Sequence, residues 1–371
     1  MRSSSALRAI AALAWRFSRD RKYLEKIYPL LDEFAAFYLG IMKKCADGRY
    51  HLDWSVPPEI FSFTRDELSC LAGLKTCLET LVEASSILGR GADKRAKWQD
   101  VLAHYPALSK TAEGGWWCGP DIPGDHYMWA GHLFYPFFPC EADVDTVAAA
   151  KTVAWTLDRG YEISWQTGDP RPLHDWSAFY FGVTRIRLGD REAGWRGVAD
   201  YLRDFGKPNG LFSHNPVIVT NLTAAEARAN LAKVPKVQIR RADGRYDVLH
   251  RGSWSDCVTP DPEAKALAPS VVEAGATFLE LASETLLQSW GGKVRLFPCV
   301  PADFTGSFER FHAQGGFTVS AAMEKGRVVV FSVTAMEDAD LDLVAPHDAG
   351  FKSIRRRLKA GESIVGGKKP L

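Results

Sequence analysis

Apolar residues recur every three or four positions through most of the chain up to Trp290, and at every second position beyond Gly292. That switch of period separates helices that bury one stripe from strands whose side chains alternate between two faces. The spacing predicts helices over about residues 5–18, 22–43, 66–88, 93–104, 143–159, 174–188, 191–205 and 271–289. The second carries Leu24, Ile27, Leu31, Phe34, Phe37, Tyr38 and Ile41 on one face, and its Pro29 is expected to bend or break it. The third repeats Leu68, Leu71, Leu74, Leu78, Leu81 and Val82 and stops at Gly89. Residues 294–297, 317–320 and 328–333 read as strands divided by Gly or Pro turns.

The expected organisation is therefore a mainly α region over 1–290, a small antiparallel β-domain over 291–346, and a solvated basic tail over 347–371. Long aromatic or Pro/Gly-rich connections at 50–63, 105–142 and 160–173 interrupt the helices. The longest interruption, 206–270, is polar and contains a weak helical pattern at 223–232 and strand-like pieces at 236–240 and 245–250. Loops of this length inside a compact domain usually carry function or indicate a misassigned element.

Charge and motifs exclude several classes. Lys and Arg total 46 against 45 Asp and Glu, a net charge of +1, so nothing marks a partner in nucleic acid or an anionic membrane. No apolar run reaches the roughly 18 residues of a membrane-spanning helix. Seven scattered cysteines without a CxxC suggest reduced, buried thiols rather than disulfides or zinc, with Cys70 and Cys77 as core residues. Arg2 and the apolar run from Ala6 look like a signal peptide. Arg8 breaks that run, however, and the helical spacing continues through Trp15 and Phe17, so an amphipathic helix is favoured. With no signal sequence the default location is cytoplasmic. A chain that starts inside a formed helix also suggests missing upstream sequence. The P-loop, GxGxxG, GxSxG and HExxH motifs do not occur, and no cofactor or metal is expected.

What remains is acids, histidines and indoles in the connections. Tyr50 to Phe61 holds Trp54 and Glu59 among prolines and aromatics; desolvation there would raise a glutamate toward the range of a general acid, and a helix cap or surface acid is the plainer alternative. Asp125 to Pro139 mixes His126, Trp129 and His132 with apolar residues, which suits either a sugar pocket or a packed loop. Glu273 opens the last long helix, where the helix dipole alone would favour an acid. Asp175-Trp176-Ser177 and the stretch from Phe212 through His214 to Pro216 are weaker signals.

In order, these segments resemble the C-terminal part of the glycoside hydrolase family 95 catalytic region, the α-L-fucosidase type. The matching elements are Tyr28-Pro29-Leu30-Leu31, Ser55-Val56-Pro57-Pro58-Glu59, Trp176-Ser177 with Arg187-Leu188-Gly189-Asp190, Leu286-Leu287-Gln288-Ser289 with Phe297-Pro298, and Gly315-Gly316-Phe317. The resemblance covers most of residues 5–335 apart from an insertion at about 217–268. It implies part of an (α/α)6 barrel of the six-hairpin glycosidase type and an exo-acting, inverting hydrolase of terminal sugars such as α-L-fucose. Carried over by position, Glu59 is the general acid and Glu273 stands where the family has the Asp of an Asp-Gly-Asn element. Trp54, His126, Trp129, His132, Trp176 and His214 are the candidate sugar contacts.

Two departures follow. Asp-Gly-Asn is here Glu273-Ala274-Gly275, and the family's water-holding asparagines lie upstream of the matched region. The predicted helices are also too few for a ring of six hairpins. The chain thus reads as the distal portion of a larger enzyme, for which self-association or the missing N-terminal half as a partner is expected. A catalytically degenerate carbohydrate-binding relative is the first alternative. A glycoside phosphorylase is the second, disfavoured because no Lys/Arg/Ser cluster accompanies the motifs.

Overall fold

The computed structural model describes residues 4–57, 63–112, 114–122, 175–219, 221–223, 225, 226, 229, 238–240, 246–248, 258–344, 346 and 351–367. It opens with two helices, α1 (Ser4–Ser18) and α2 (Arg21–Ile41), and a hairpin of β1 (Met42–Lys44) and β2 (Tyr50–Leu52). Helices α3 (Leu68–Leu88) and α4 (Ala92–Ala103) follow, then α5 (Asp175–Arg187) and α6 (Arg191–Phe205). Short paired strands come next: β3 (Ile218–Val219) with β6 (Val258–Thr259), and β4 (Gln238–Arg240) with β5 (Tyr246–Val248). The helical part ends with α7 (Pro262–Leu267) and α8 (Val272–Leu286). The expected helix at 143–159 lies outside the described residues.

Local chemistry explains the helix ends. Asp20 caps α2 by accepting from the Lys22 and Tyr23 amides, and Gly89, at φ +66°, closes α3 in the left-handed conformation. Helix α2 runs through Pro29 without a break, so of the expected bend or break the second does not occur. Its buried stripe of Leu24, Ile27, Leu31, Phe34 and Tyr38 packs with Leu71, Leu74, Cys77, Leu78 and Leu81 of α3 and Trp15 of α1. Tertiary burial on this scale outweighs one lost backbone hydrogen bond. A second core joins Ala72 of α3 to Phe179, Tyr180 and Val183 of α5, Tyr201 and Phe205 of α6 and Leu281 of α8. Among the described residues no helix is long and apolar enough to cross a membrane.

Eight strands follow α8: β7 (Leu287–Gln288), β8 (Val294–Leu296), β9 (Gly306–Ala313), β10 (Phe317–Glu324), β11 (Arg327–Ala335), β12 (Ala339–Val344), β13 (Ile354–Leu358) and β14 (Ser363–Gly367). They form two four-stranded sheets, β14-β11-β10-β9 and β13-β12-β8-β7. Every pairing is antiparallel except β8 with β12, which is parallel. Strand β10 turns Phe317, Val319, Ala321 and Met323 inward, onto a core shared with Leu296, Leu341, Leu343 and Leu358 of the other sheet.

The segment read as a solvated tail is structured, and this is a correction. Strand β13 pairs with β12 and β14 with β11. The arginine run is part of the sheet: Arg355 pairs with Asp342 and Arg357 with Asp340, its cross-strand partners, while Arg356 reaches Glu362.

Helices and sheets are bolted together at the ends of α1, α5 and α8. Arg19 bridges Glu83 of α3 and Glu337 beyond β11, and the Gly315 amide donates to the Arg16 carbonyl. Arg187 at the end of α5 forms a two-pronged, almost fully buried ion pair with Glu284 of α8, at 2.6 and 3.3 Å. One turn back on α8, burial and the neighbouring Glu284 charge push Glu280 up to about 7. A raised acid holds its proton more tightly in the folded state, so its stabilisation is complete below the ordinary 4.5 and is lost as pH rises to about 7. Urea unfolding across that interval should show stability falling with pH more steeply in the native protein than in Glu280→Gln. Parallel pH profiles would contradict this.

Candidate functional site

Two clusters of connections gather the residues that the sequence singles out. The first surrounds the loop that carries Glu59. Strand β2 is tied to the start of α3 by Asp66, which accepts the Leu52 amide at 2.8 Å and meets Nδ1 of His51 at 2.5 Å. Asp47 takes the other ring nitrogen of His51 at 2.9 Å. The hydrogen bond that His51 donates to Asp66, reinforced by the one to Asp47, outweighs partial burial and raises the His51 pKa. Ser55 and Thr64 then exchange both backbone hydrogen bonds, at 2.8 and 2.9 Å, so the chain leaves and returns at a single point. Glu59 belongs to the loop so closed and lies outside the described residues.

The base of that loop is rigid. The Asp121 carboxylate accepts from the Arg65 amide and both arms of its guanidinium, and the Asp121 amide donates to the Thr64 hydroxyl. The approach is so close that a Cβ on Gly119 would stand 2.2 Å from Oγ1 of Thr64, so only glycine fits. Glu67, fully buried, caps α3 by accepting the Ser69 and Cys70 amides and the Ser69 hydroxyl. Burial raises its pKa despite these donors. Trp54 stands 61% exposed beside the loop with the Arg65 guanidinium over its ring, a free aromatic face suited to a sugar ring.

The second cluster lies at the starts of α5 and α8, joined by residues 212–214. The Asp175 amide donates to the His214 carbonyl and the Val271 amide to the Phe212 carbonyl, while Ser213 bridges to Ser270. Phe212 stacks on Phe278 at 4.7 Å and, with Tyr201, fixes the segment against the second core. The Tyr201 hydroxyl reaches the Ala274 carbonyl and Thr277 in the first turns of α8, and burial raises its pKa strongly.

In this frame Asp175, wholly buried in the first turn of α5, meets Nδ1 of His214 at 2.6 Å. A buried carboxylate beside one nitrogen favours a fixed orientation of the imidazole. The His214 side chain is 44% exposed. Glu273 is exposed in the first turn of α8, where the dipole favours an acid.

Residues 212–214 thus join the starts of the two helices that carry Asp175 and Glu273, with the Trp176 backbone beside Asp175. The Trp176 side chain, and the whole of His126, Trp129 and His132, lie outside the described residues. Asp175 as the partner of His214 was not identified from sequence; its one local signal was an acid in the first turn of a helix. Among the described residues no group of three or more His, Cys, Asp or Glu side chains could hold a metal ion.

Helices carrying acids, a histidine and an exposed indole at their connections, continued by two packed sheets, are consistent with a fold of the α/α-barrel glycosidase type. More particularly, the chain belongs to glycoside hydrolase family 95: the model "Glycosyl hydrolase family 95 catalytic domain" matches residues 9–219. Among solved structures it is similar to "Putative kojibiose phosphorylase from human microbiome", with TM-score 0.50 and 10% identity over 98% of this chain and 46% of that one. The native α-L-rhamnosidase from Aspergillus terreus superposes with TM-score 0.40 and 13% identity over 97% of this chain and 38% of that one. The chain spans less than half the length of either structure. No curated protein matches it.

Proposed function

We propose that the chain is the distal part of an exo-acting, inverting glycoside hydrolase, built on part of a ring of six helical hairpins. Its substrate is a terminal sugar such as α-L-fucose or a related sugar. Glu59 protonates the departing oxygen. Glu273 accepts a proton from the water that attacks the opposite face, which calls for carboxyls roughly 6.5–9.5 Å apart. His214, held by Asp175, contacts sugar hydroxyls, and Trp54 and Trp176 supply stacking surfaces; His126, Trp129 and His132 complete the pocket.

The observation that supports this reading is that residues 212–214 join the start of the helix carrying Glu273 to the Asp175–His214 pair. An exposed carboxylate and an imidazole beside a buried carboxylate are side chains of the kind that positioning and proton transfer need. Family membership adds weight to a glycosidase reading. The experiment is hydrolysis of candidate glycosides in phosphate-free buffer, followed by proton NMR of the anomeric signal.

A second reading rests on Glu273-Ala274-Gly275, which lacks the asparagine of the family's Asp-Gly-Asn element. The same pocket would then bind sugar without cleaving it. Saturable binding with no turnover of any glycoside would favour that reading.

A further inference from the structure

A cavity of about 420 Å³ lies at the junction of helices and sheets, among residues that the proposed hydrolysis does not use. Its volume falls within the roughly 300–1,000 Å³ of small-molecule sites. Helix α8 supplies Glu280, Ser283 and Glu284 to one wall, Phe17 of α1 borders it, and Trp290 and Ser289 extend the wall beyond β7. Strand β9 supplies Arg310 and His312 opposite.

The lining is built rather than incidental. Arg187 holds Glu284 from behind. The Trp290 indole N–H donates to Gln288, and the Arg295 guanidinium covers its ring at 4.3 Å. On β9 the register with β10 slips between Val319 and Ala321, forming a bulge. Within it Arg310 takes a left-handed φ of +56°, and its amide donates to the Ser320 hydroxyl. Bulges re-aim side chains, and this one places Arg310 in the cavity wall.

Charge and shape select the ligand. An anion would meet two glutamates, and a cation would meet Arg310 with Arg187 behind. A neutral molecule rich in hydroxyls satisfies both sets, donating to carboxylates and accepting from the guanidinium and serines. Phe17, Trp290 and Phe311 offer apolar surface to its C–H faces. We infer that this junction cavity is a binding site for a neutral mono- or disaccharide, separate from the proposed catalytic end.

Calorimetric titration of the whole chain with D-glucose, L-fucose and sucrose tests this. At least one should bind saturably, and filling the cavity from the helix with Ser283→Trp should weaken that binding at least about tenfold. Gln314→Trp fills it from the sheet side and decides the matter if the first variant does not fold. The component of binding that the filled variants lose should persist in His214→Ala, whether or not the chain hydrolyses glycosides. The inference is overturned if none of the three sugars binds, or if binding survives both fillings. It is also overturned if glucosamine or glucuronate binds more tightly than every neutral sugar.

Discussion

Glu59→Gln should lower turnover of an alkyl glycoside by about 10²–10⁴-fold, the usual contribution of a positioned general acid. The loss should shrink on a dinitrophenyl glycoside, because that leaving group departs without a proton. This split separates an acid from a residue that merely binds, whose removal weakens both substrates alike. Glu273→Gln should behave differently, impairing both substrates, since water must be activated whatever leaves. Initial rates on the two substrates, with circular dichroism showing retained folding, give the comparison. Equal losses on both substrates for Glu59→Gln would remove it from the acid role. The Ser55–Thr64 clasp and the Arg65–Asp121 pair give the loop a firm base, so the effect should be chemical rather than structural.

Arg187→Met should destabilise the fold by about 3–5 kcal/mol, the cost of stranding a buried charge. The side chains of Arg187 and Glu284 are only 5% and 9% exposed, so solvent screens the stranded carboxylate poorly. Replacing both partners, as in Arg187→Met with Glu284→Leu, should recover most of the loss, because no buried charge is left unpaired. Urea unfolding of the wild type, both single variants and the double variant measures the cycle. A loss below about 1 kcal/mol for Arg187→Met would mean that the junction is wetter than its geometry indicates.

The parts of the fold legible in sequence are those set by local chemistry. The change of period near Gly292 announces where strands replace helices, and Gly89 marks the end of α3. The start of α3 was placed two residues early because its cap is Glu67, an unusual capping residue that works here through burial. Pro29 was misleading for the opposite reason: nothing local reveals that α2 would be held by packing on both sides of it.

The strands β13 and β14 were hidden because three successive arginines look like a solvated run. Their match to Asp340, Asp342 and Glu362 emerges only once the register with β12 is known. The candidate site divides similarly. Glu59 and Glu273 stood out through motif context, while the Asp175–His214 pair joins residues 39 positions apart and exists only through the tertiary structure. The junction cavity depends on a bulge in β9, a feature that no hydrophobic pattern encodes.

In the proposed reaction Glu59 and Glu273 act from opposite faces of one bound sugar. Proton NMR of the first sugar released by the whole chain in phosphate-free buffer checks this arrangement. The product should appear first as the anomer opposite to that of the substrate and then mutarotate. A product that first appears with the substrate's own configuration, or release that requires added phosphate, would contradict it.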